Sequence, residues 1–365
     1  MTSALRISPT LIIVHLGLII VGALGGLAAR AVGLPLPFIL GSLITVALAA
    51  QMAEIFDRTH PDRRRLVPKD FKFSDTFRAI FIGVVGMAIG TRITMDVLLN
   101  LPKAAFSFAA LTAFVPIAFF LNYQIFRRIG GYDHATALFS GSPGGLYEAI
   151  MFGEQHDANM QQLMMAQFLR IILVVTLLPI GLSIYTGHPV GSAAGQGLAP
   201  ADTGLEHLPL AAVVVLLGLY LGRLVHIPAP QLMGPLILGG IVTLSGVTSL
   251  DLPNWMLSVA QVIIGTALGT RFVGIRPMML LRGAGLAVLS VGTMLLLGTL
   301  MVLVLVPLTG EHFDVMLISF APGGVTEMAL VALSLEANPA FVTVHHLYRI
   351  ILTVIVVTWV AKRAF

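Results

Sequence analysis

The chain has no cysteine, and only 10% of its residues are charged. The first absence excludes a disulfide framework, iron–sulfur ligation and thiolate metal sites. The second excludes a soluble globular domain, in which about 25% of residues are charged. There is also no Gly-x-x-x-x-Gly-Lys-Ser/Thr run to cradle a nucleotide phosphate, which argues against a nucleotide-driven pump. The histidines, His15, His60, His134, His156, His188, His207, His226, His312, His345 and His346, show no spacing among themselves or with carboxylates that would assemble copper or iron. No metal or other cofactor is expected. No polar stretch is long enough to fold as a nucleic-acid-binding domain, and the basic loop near Arg63 reads as a topology signal and then as a contact for anionic lipid. What the chain does have is 57% hydrophobic residues and a mean hydropathy of +0.95. That is the composition of a polytopic helical membrane protein.

Apolar stretches of about 20 residues, enough to cross a bilayer as helices, run near 10–32, 34–52, 77–99, 103–126, 135–153 and 161–185, then near 208–225, 227–249, 254–274, 281–307, 312–335 and 341–362. The first is longer than the core of a signal peptide and has no convincing cleavage site, so it is read as a membrane segment. Between the two sets lies Thr186–His207, rich in Gly, Ala, Ser and Pro and free of Lys and Arg, with the composition of a flexible linker.

The second set repeats the first. Pro143-Gly144-Gly145-Leu146-Tyr147-Glu148 returns as Pro322-Gly323-Gly324-Val325-Thr326-Glu327, Gly90-Thr91-Arg92 as Gly269-Thr270-Arg271, and Arg170-Ile171-Ile172-Leu173 as Arg349-Ile350-Ile351-Leu352, all at an offset of 179. Earlier parts agree at an offset of 193: Leu24 to Arg30 with Leu217 to Arg223, and Pro35-x-Pro37 with Pro228-x-Pro230. A constant offset aligning Arg, Glu and Pro-Gly-Gly without a gap indicates duplication, with residues 1–187 and 188–365 as the two copies. The polar stretch Asp57–Lys69 is the insertion that lengthens the first.

Pro-Gly-Gly in the middle of an apolar segment removes an amide donor and gives the backbone two permissive positions, so a continuous helix is not expected there. Broken backbone survives in hydrocarbon only where protein or a water-filled cavity satisfies it. Breaks at corresponding positions of two repeats point to a transporter's binding site.

Charge placement fixes the parity of crossings. If every segment crossed, the loop with Arg58, Arg63, Arg64, Arg65, Lys69 and Lys72 would be cytoplasmic while Arg271, Arg276 and Arg282 were outside, against the positive-inside rule. If one segment per half does not cross fully, the second half is inverted. Arg6, that loop, Arg127, Arg128, Arg223, Arg271, Arg276, Arg282, Lys362 and Arg363 then all fall inside, with Arg30, Arg92 and Lys103 as exceptions. The expected fold is an all-α polytopic membrane protein of two inverted repeats of about five crossings each, with a broken Pro-Gly-Gly helix in each repeat. The Pro-Gly-Gly segment and the second segment are the two candidates for the re-entrant one.

Over essentially its full length the chain resembles the AbrB-type integral membrane proteins, built from a tandem AbrB duplication domain with this Pro-Gly-Gly motif in each half. The names given to that family, ammonia monooxygenase and AbrB family transcriptional regulator, imply a membrane-bound monooxygenase or a membrane regulator of gene expression. At the level of fold, the paired breaks look like the cation–proton antiporter and bile-acid symporter superfamily. That resemblance implies a secondary transporter of a small solute coupled to protons or cations, multi-pass in the bacterial inner (plasma) membrane. Its partners would be the lipid bilayer, the solute and the coupling ion, with no nucleic acid, and with homo-oligomerisation left open.

An unpaired ionised side chain at the bilayer centre costs roughly 2.5–3.5 kcal/mol on insertion scales, so Glu148 and Glu327 need partners. Arg170 and Arg349, each 22 residues after its Glu, are the natural ones. Two readings stand. The Glu–Arg pairs lock helix contacts, or the carboxylates bind a coupling ion beside the Pro143-Gly144-Gly145 and Pro322-Gly323-Gly324 backbone while freed amides or the arginines receive an anionic group. His345 and His346 read as packing residues outside the duplicated core, since Ala166-Gln167 stand there in the first copy. Arg92 and Arg271 read as snorkelling to the interface. Gly83, Gly86, Gly90, Gly265 and Gly269 read as small faces for close helix packing.

Overall fold

Backbone amides without water must find partners along the chain, so apolar segments in a bilayer fold as helices. The computed structural model describes residues 9–34, 36–60, 62–63, 65–68, 71–93, 104–187, 205–227, 229–246, 252–275, 277–335 and 338–364. The linker at 188–204, Arg6, Arg64, Lys69, Lys103, Arg276 and the side chains of Tyr147 and Glu148 lie outside this description. Among the described residues all regular structure is helical. In chain order the helices are α1 (Pro9–Ala31), α2 (Pro37–Thr59), α3 (Asp75–Gly90), α4 (Ala105–Gln124, continued by a π turn, Ile125–Ile129), α5 (His134–Ser140), α6 (Leu146–Gln155) and α7 (Met160–Thr186). They continue as α8 (Leu208–Leu224), α9 (Pro230–Leu244), α10 (Asn254–Gly269), α11 (Pro277–Thr309), α12 (Phe313–Phe320), α13 (Val325–Ser334) and α14 (Pro339–Ala364).

Six helical stretches are long and apolar enough to span a bilayer: Leu11–Ala31, Pro37–Thr59, Ala105–Ile129, Met160–Thr186, Pro277–Thr309 and Pro339–Ala364. Their outward faces are apolar as well, with Ile13, Leu16, Ile20 and Leu24 of α1 and Leu296, Leu300, Leu303 and Val304 of α11 exposed. Rows of exposed aliphatic side chains would be unfavourable in water and are neutral against lipid tails. The chain is a multi-pass membrane protein.

Local chemistry sets the helix starts. Ser74 caps α3 by accepting from the amide of Phe77 at 3.3 Å, Asp133 caps α5 by accepting from Thr136 at 2.8 Å, and Asn159 caps α7 by accepting from Gln162 at 3.1 Å. The two Pro-x-Pro sites share an unusual backbone. Leu36 and Ala229, separated by the same 193 residues as their flanking prolines, both have a left-handed φ of 47°, each just before a proline that opens a helix. A side-chain-bearing residue in that region is strained, so its recurrence marks a constrained junction in both halves.

The helices of the two halves interlock. α1 packs on α2 and α8 on α9, but α2 also packs on α10 and α3 on α9. These crossings are close because glycines face backbone: Gly86 and Gly90 of α3 meet the carbonyls of Leu232 and Leu236 on α9, and Gly265 and Gly269 of α10 meet those of Ile39 and Leu43 on α2. The expected small-residue faces are therefore real, and they join opposite halves. Because backbone cannot move aside cheaply, Gly86→Val and Gly265→Val should each destabilise by about 1–3 kcal/mol, the usual cost of overpacking. Thermal unfolding of the purified variants checks this; unchanged midpoints would mean that the crossings are looser than they look.

Candidate functional site

The two Pro-Gly-Gly sequences occupy turns. Gly141–Gly145 connects α5 to α6, and Ala321–Gly324 connects α12 to α13. Gly145 has φ 63° and ψ 57°, a left-handed conformation that glycine adopts without strain, whereas Gly324 is extended at φ −76°. Each turn leaves the last carbonyls of a short helix without helical partners, buried in protein.

Matching side chains supply those partners in both halves. Gln167 Nε2 donates to the carbonyl of Phe139 at 2.9 Å, and His346 Nε2 meets the carbonyl of Ile318, 179 residues further on, at 2.9 Å. Arg170 Nη1 donates to the carbonyl of Ser142, and Arg349 Nη1 to its counterpart Ala321, while Arg349 Nη2 adds the carbonyl of Gly323 at 2.7 Å. Ser142 Oγ completes the first turn by donating to Gly144 at 3.1 Å. The arginines thus cap the carbonyl ends of α5 and α12, the negative ends of those helices, where a planar guanidinium with five donors suits clustered oxygens.

In the second half this differs from the expected pairing of Arg349 with Glu327, while the expected pairing of Arg170 with Glu148 falls on a side chain outside the described residues. Arg349 is fully buried and makes no ion pair with Glu327, and the hydrogen bond of Arg170 goes to backbone. Sequence separation left the choice of partner open, and in the second half the carbonyls of Ala321 and Gly323 lie closer to Arg349 than the Glu327 carboxylate does. His346 is also reassigned: it stands 179 residues after Gln167 and makes the equivalent bond, so its role is not confined to packing. His345 packs as expected, stacked on Phe108 with ring centroids 4.4 Å apart and meeting Ser107 Oγ at 2.7 Å.

A cavity of about 410 Å³ lies between the turns. Of the residues singled out in the sequence, Gly144, Gly145, Arg170, Gly323, Gly324 and Glu327 line it, while Pro143, Pro322 and Arg349 do not. The side chain of Glu148 lies outside the described residues. Arg349 sits just behind the lining, where a Cβ added to Gly144 would stand 3.8 Å from its Nε. Glu327, in the first turn of α13, folds its carboxylate over Gly324 and shares the cavity lining with Arg78 and Arg271. Arg271 is a cavity residue, 4.9 Å above the ring of Phe168, and not an interface anchor. Arg78, near the start of α3 and 3.0 Å from Asp75 Oδ1, went unnoticed in the sequence because the second half has Leu257 in its place. Among the described residues no group of three or more His, Asp or Glu is placed to hold a metal ion.

A family model described as transition state regulatory protein AbrB matches residues 63–364 of the chain. The chain belongs to the AbrB family. The matched span of this AbrB-family protein includes α3 to α14, and with them both turns, both arginines and the whole cavity wall. It is similar to uncharacterized protein YhjN of Bacillus subtilis (strain 168), with 26% identity over 354 residues, 92% of this chain and 89% of that protein. It is also similar to "Putative regulator AbrB" of Escherichia coli (strain K12), with 22% identity over 207 residues, 57% of this chain and 59% of that relative.

Proposed function

We propose that this protein is a secondary transporter of a small solute coupled to protons or cations in the bacterial plasma membrane, built from inverted repeats at 1–187 and 188–365 with a broken helix in each. One observation carries the reading: the floor of the cavity is symmetric and its walls are not. Gly144 and Gly323, Gly145 and Gly324, Leu146 and Val325, Phe168 and Leu347, and Ile171 and Ile350 line it in pairs 179 residues apart. The walls come from Arg78 and Ile82 of α3, Ala229 to Gln231 at the start of α9, and Ile264, Leu268 and Arg271 at the end of α10. Their counterparts in the other half, including Leu36, Pro37, Ile89 and Arg92, are not part of the lining.

A site floored by equivalent residues of two repeats but walled by one end of the bundle is what alternating access requires of one of its two end states. Charge bias puts the start of α3 and Arg271 inside, so the walled side is cytoplasmic. The regulator named in the family description is then accommodated as a downstream consequence of altered solute levels.

Topology is the first check. Single cysteines at Thr186 and Ala364, in a chain without native thiols, should label from opposite sides of the membrane, Ala364 from the cytoplasm. Labelling from the same side would overturn the inverted arrangement. Transport itself is tested by comparing the solutes retained and exported by cells with and without the protein, then by uptake into proteoliposomes. A solute that accumulates against its gradient only under an imposed ion gradient supports the reading, and equilibration without accumulation overturns it.

A further inference from the structure

We infer that the solute is a small organic anion, a monocarboxylate with an apolar body, whose carboxylate is received by the arginines that line the cavity. This rests on the transporter reading for the purpose of the site, while its chemistry follows from the lining alone. Among the described lining residues three arginines, Arg78, Arg170 and Arg271, accompany one carboxylate, Glu327, and an excess of positive charge remains after Arg78 is paired with Asp75 outside the lining. Three helices begin at the wall: α6 at Leu146, α9 at Pro230 and α13 at Val325. Their first turns have amides without intrahelical acceptors, and their positive dipole ends converge on one volume. The opposite, negative ends of α5 and α12 are already neutralised by Arg170 and Arg349.

Arg170 gives an independent indication. It is 5% exposed, lines the cavity, donates from Nη1 to Ser142, and holds its Nε buried without a partner. A buried guanidinium with an unsatisfied donor is unfavourable, and a carboxylate beside it offsets the cost of the buried charge. The remaining lining, including Phe168, Ile171, Ile264 and Leu268, is apolar. It suits a hydrocarbon or aryl body better than a sugar or an inorganic anion. The volume of about 410 Å³ lies toward the small end of the roughly 300–1,000 Å³ typical of ligand pockets.

The test uses the full-length protein in detergent and follows thermal unfolding against a panel of probes: straight-chain monocarboxylates from propionate to octanoate, benzoate, the size-matched alcohols and amines, and inorganic phosphate. At least one carboxylate should raise the unfolding temperature while its alcohol and amine do not. Arg78→Gln and Arg271→Gln should each weaken that apparent affinity about tenfold or more. These two are chosen because Arg170 also holds the turn, and its removal would confound binding with folding. No response to any carboxylate, an equal response to amines, a response to phosphate alone, or wild-type affinity in both variants would each overturn the inference. The two proposals fail separately: a carboxylate that binds but never crosses proteoliposome membranes leaves the anion site standing and removes transport. Accumulation of an amine or a sugar does the reverse.

Discussion

Replacing Arg349 by methionine should destabilise the protein by about 2–6 kcal/mol, at about 1–3 kcal/mol for each of the two buried carbonyls left without a donor. The carbonyls of Ala321 and Gly323 would lose the donors that Arg349 supplies from its buried position. Methionine keeps most of the volume, so the loss would report hydrogen bonds and not a cavity. Arg349→Lys should recover only part, because an ammonium cannot present two parallel donors to two carbonyls. Thermal unfolding of the two variants decides it. A methionine variant as stable as the parent would mean that the turn finds other partners, and the capping role would fall. Arg170→Met should behave in the same direction with a smaller effect, since Arg170 holds one carbonyl where Arg349 holds two, and Ser142 Oγ also serves the first turn.

The largest functional effect is expected at Glu327. Glu327→Gln preserves shape and removes the only described acidic side chain on the cavity. If that carboxylate carries the coupling proton or cation, solute accumulation driven by an ion gradient should fall to background. Solute–solute counterflow should persist, because the binding surfaces of the turns and α7 remain. Thermal stability should change little, as Glu327 makes no salt bridge among the described residues. Accumulation at the parent level would remove Glu327 from coupling. Loss of both accumulation and counterflow with intact protein would make it a solute ligand instead.

By itself the sequence determined the membrane class, the helical segments, the repeated motifs and the glycine faces, because each depends on composition or on spacing along a single segment. Gly86, Gly90, Gly265 and Gly269 could be read as contact residues from their period alone, since a helix places every fourth residue on one side. The family resemblance was legible for the same reason, in motifs that are contiguous along the chain. What the sequence left open was the pairing of buried polar groups. Arg170 and Arg349 had carboxylates and carbonyls at comparable distances along the chain, and only the fold of the turns brought the carbonyls to them. Gln167 and His346 looked unrelated because their side chains differ, yet each offers an N–H at the same reach, and equivalent backbone makes them interchangeable. Arg78 and Arg271 became cavity residues because α3 packs on α9 and α2 on α10, across the two halves. Contacts of that kind join residues far apart in the chain, where no local period or spacing carries the information, so they were decided by tertiary structure alone.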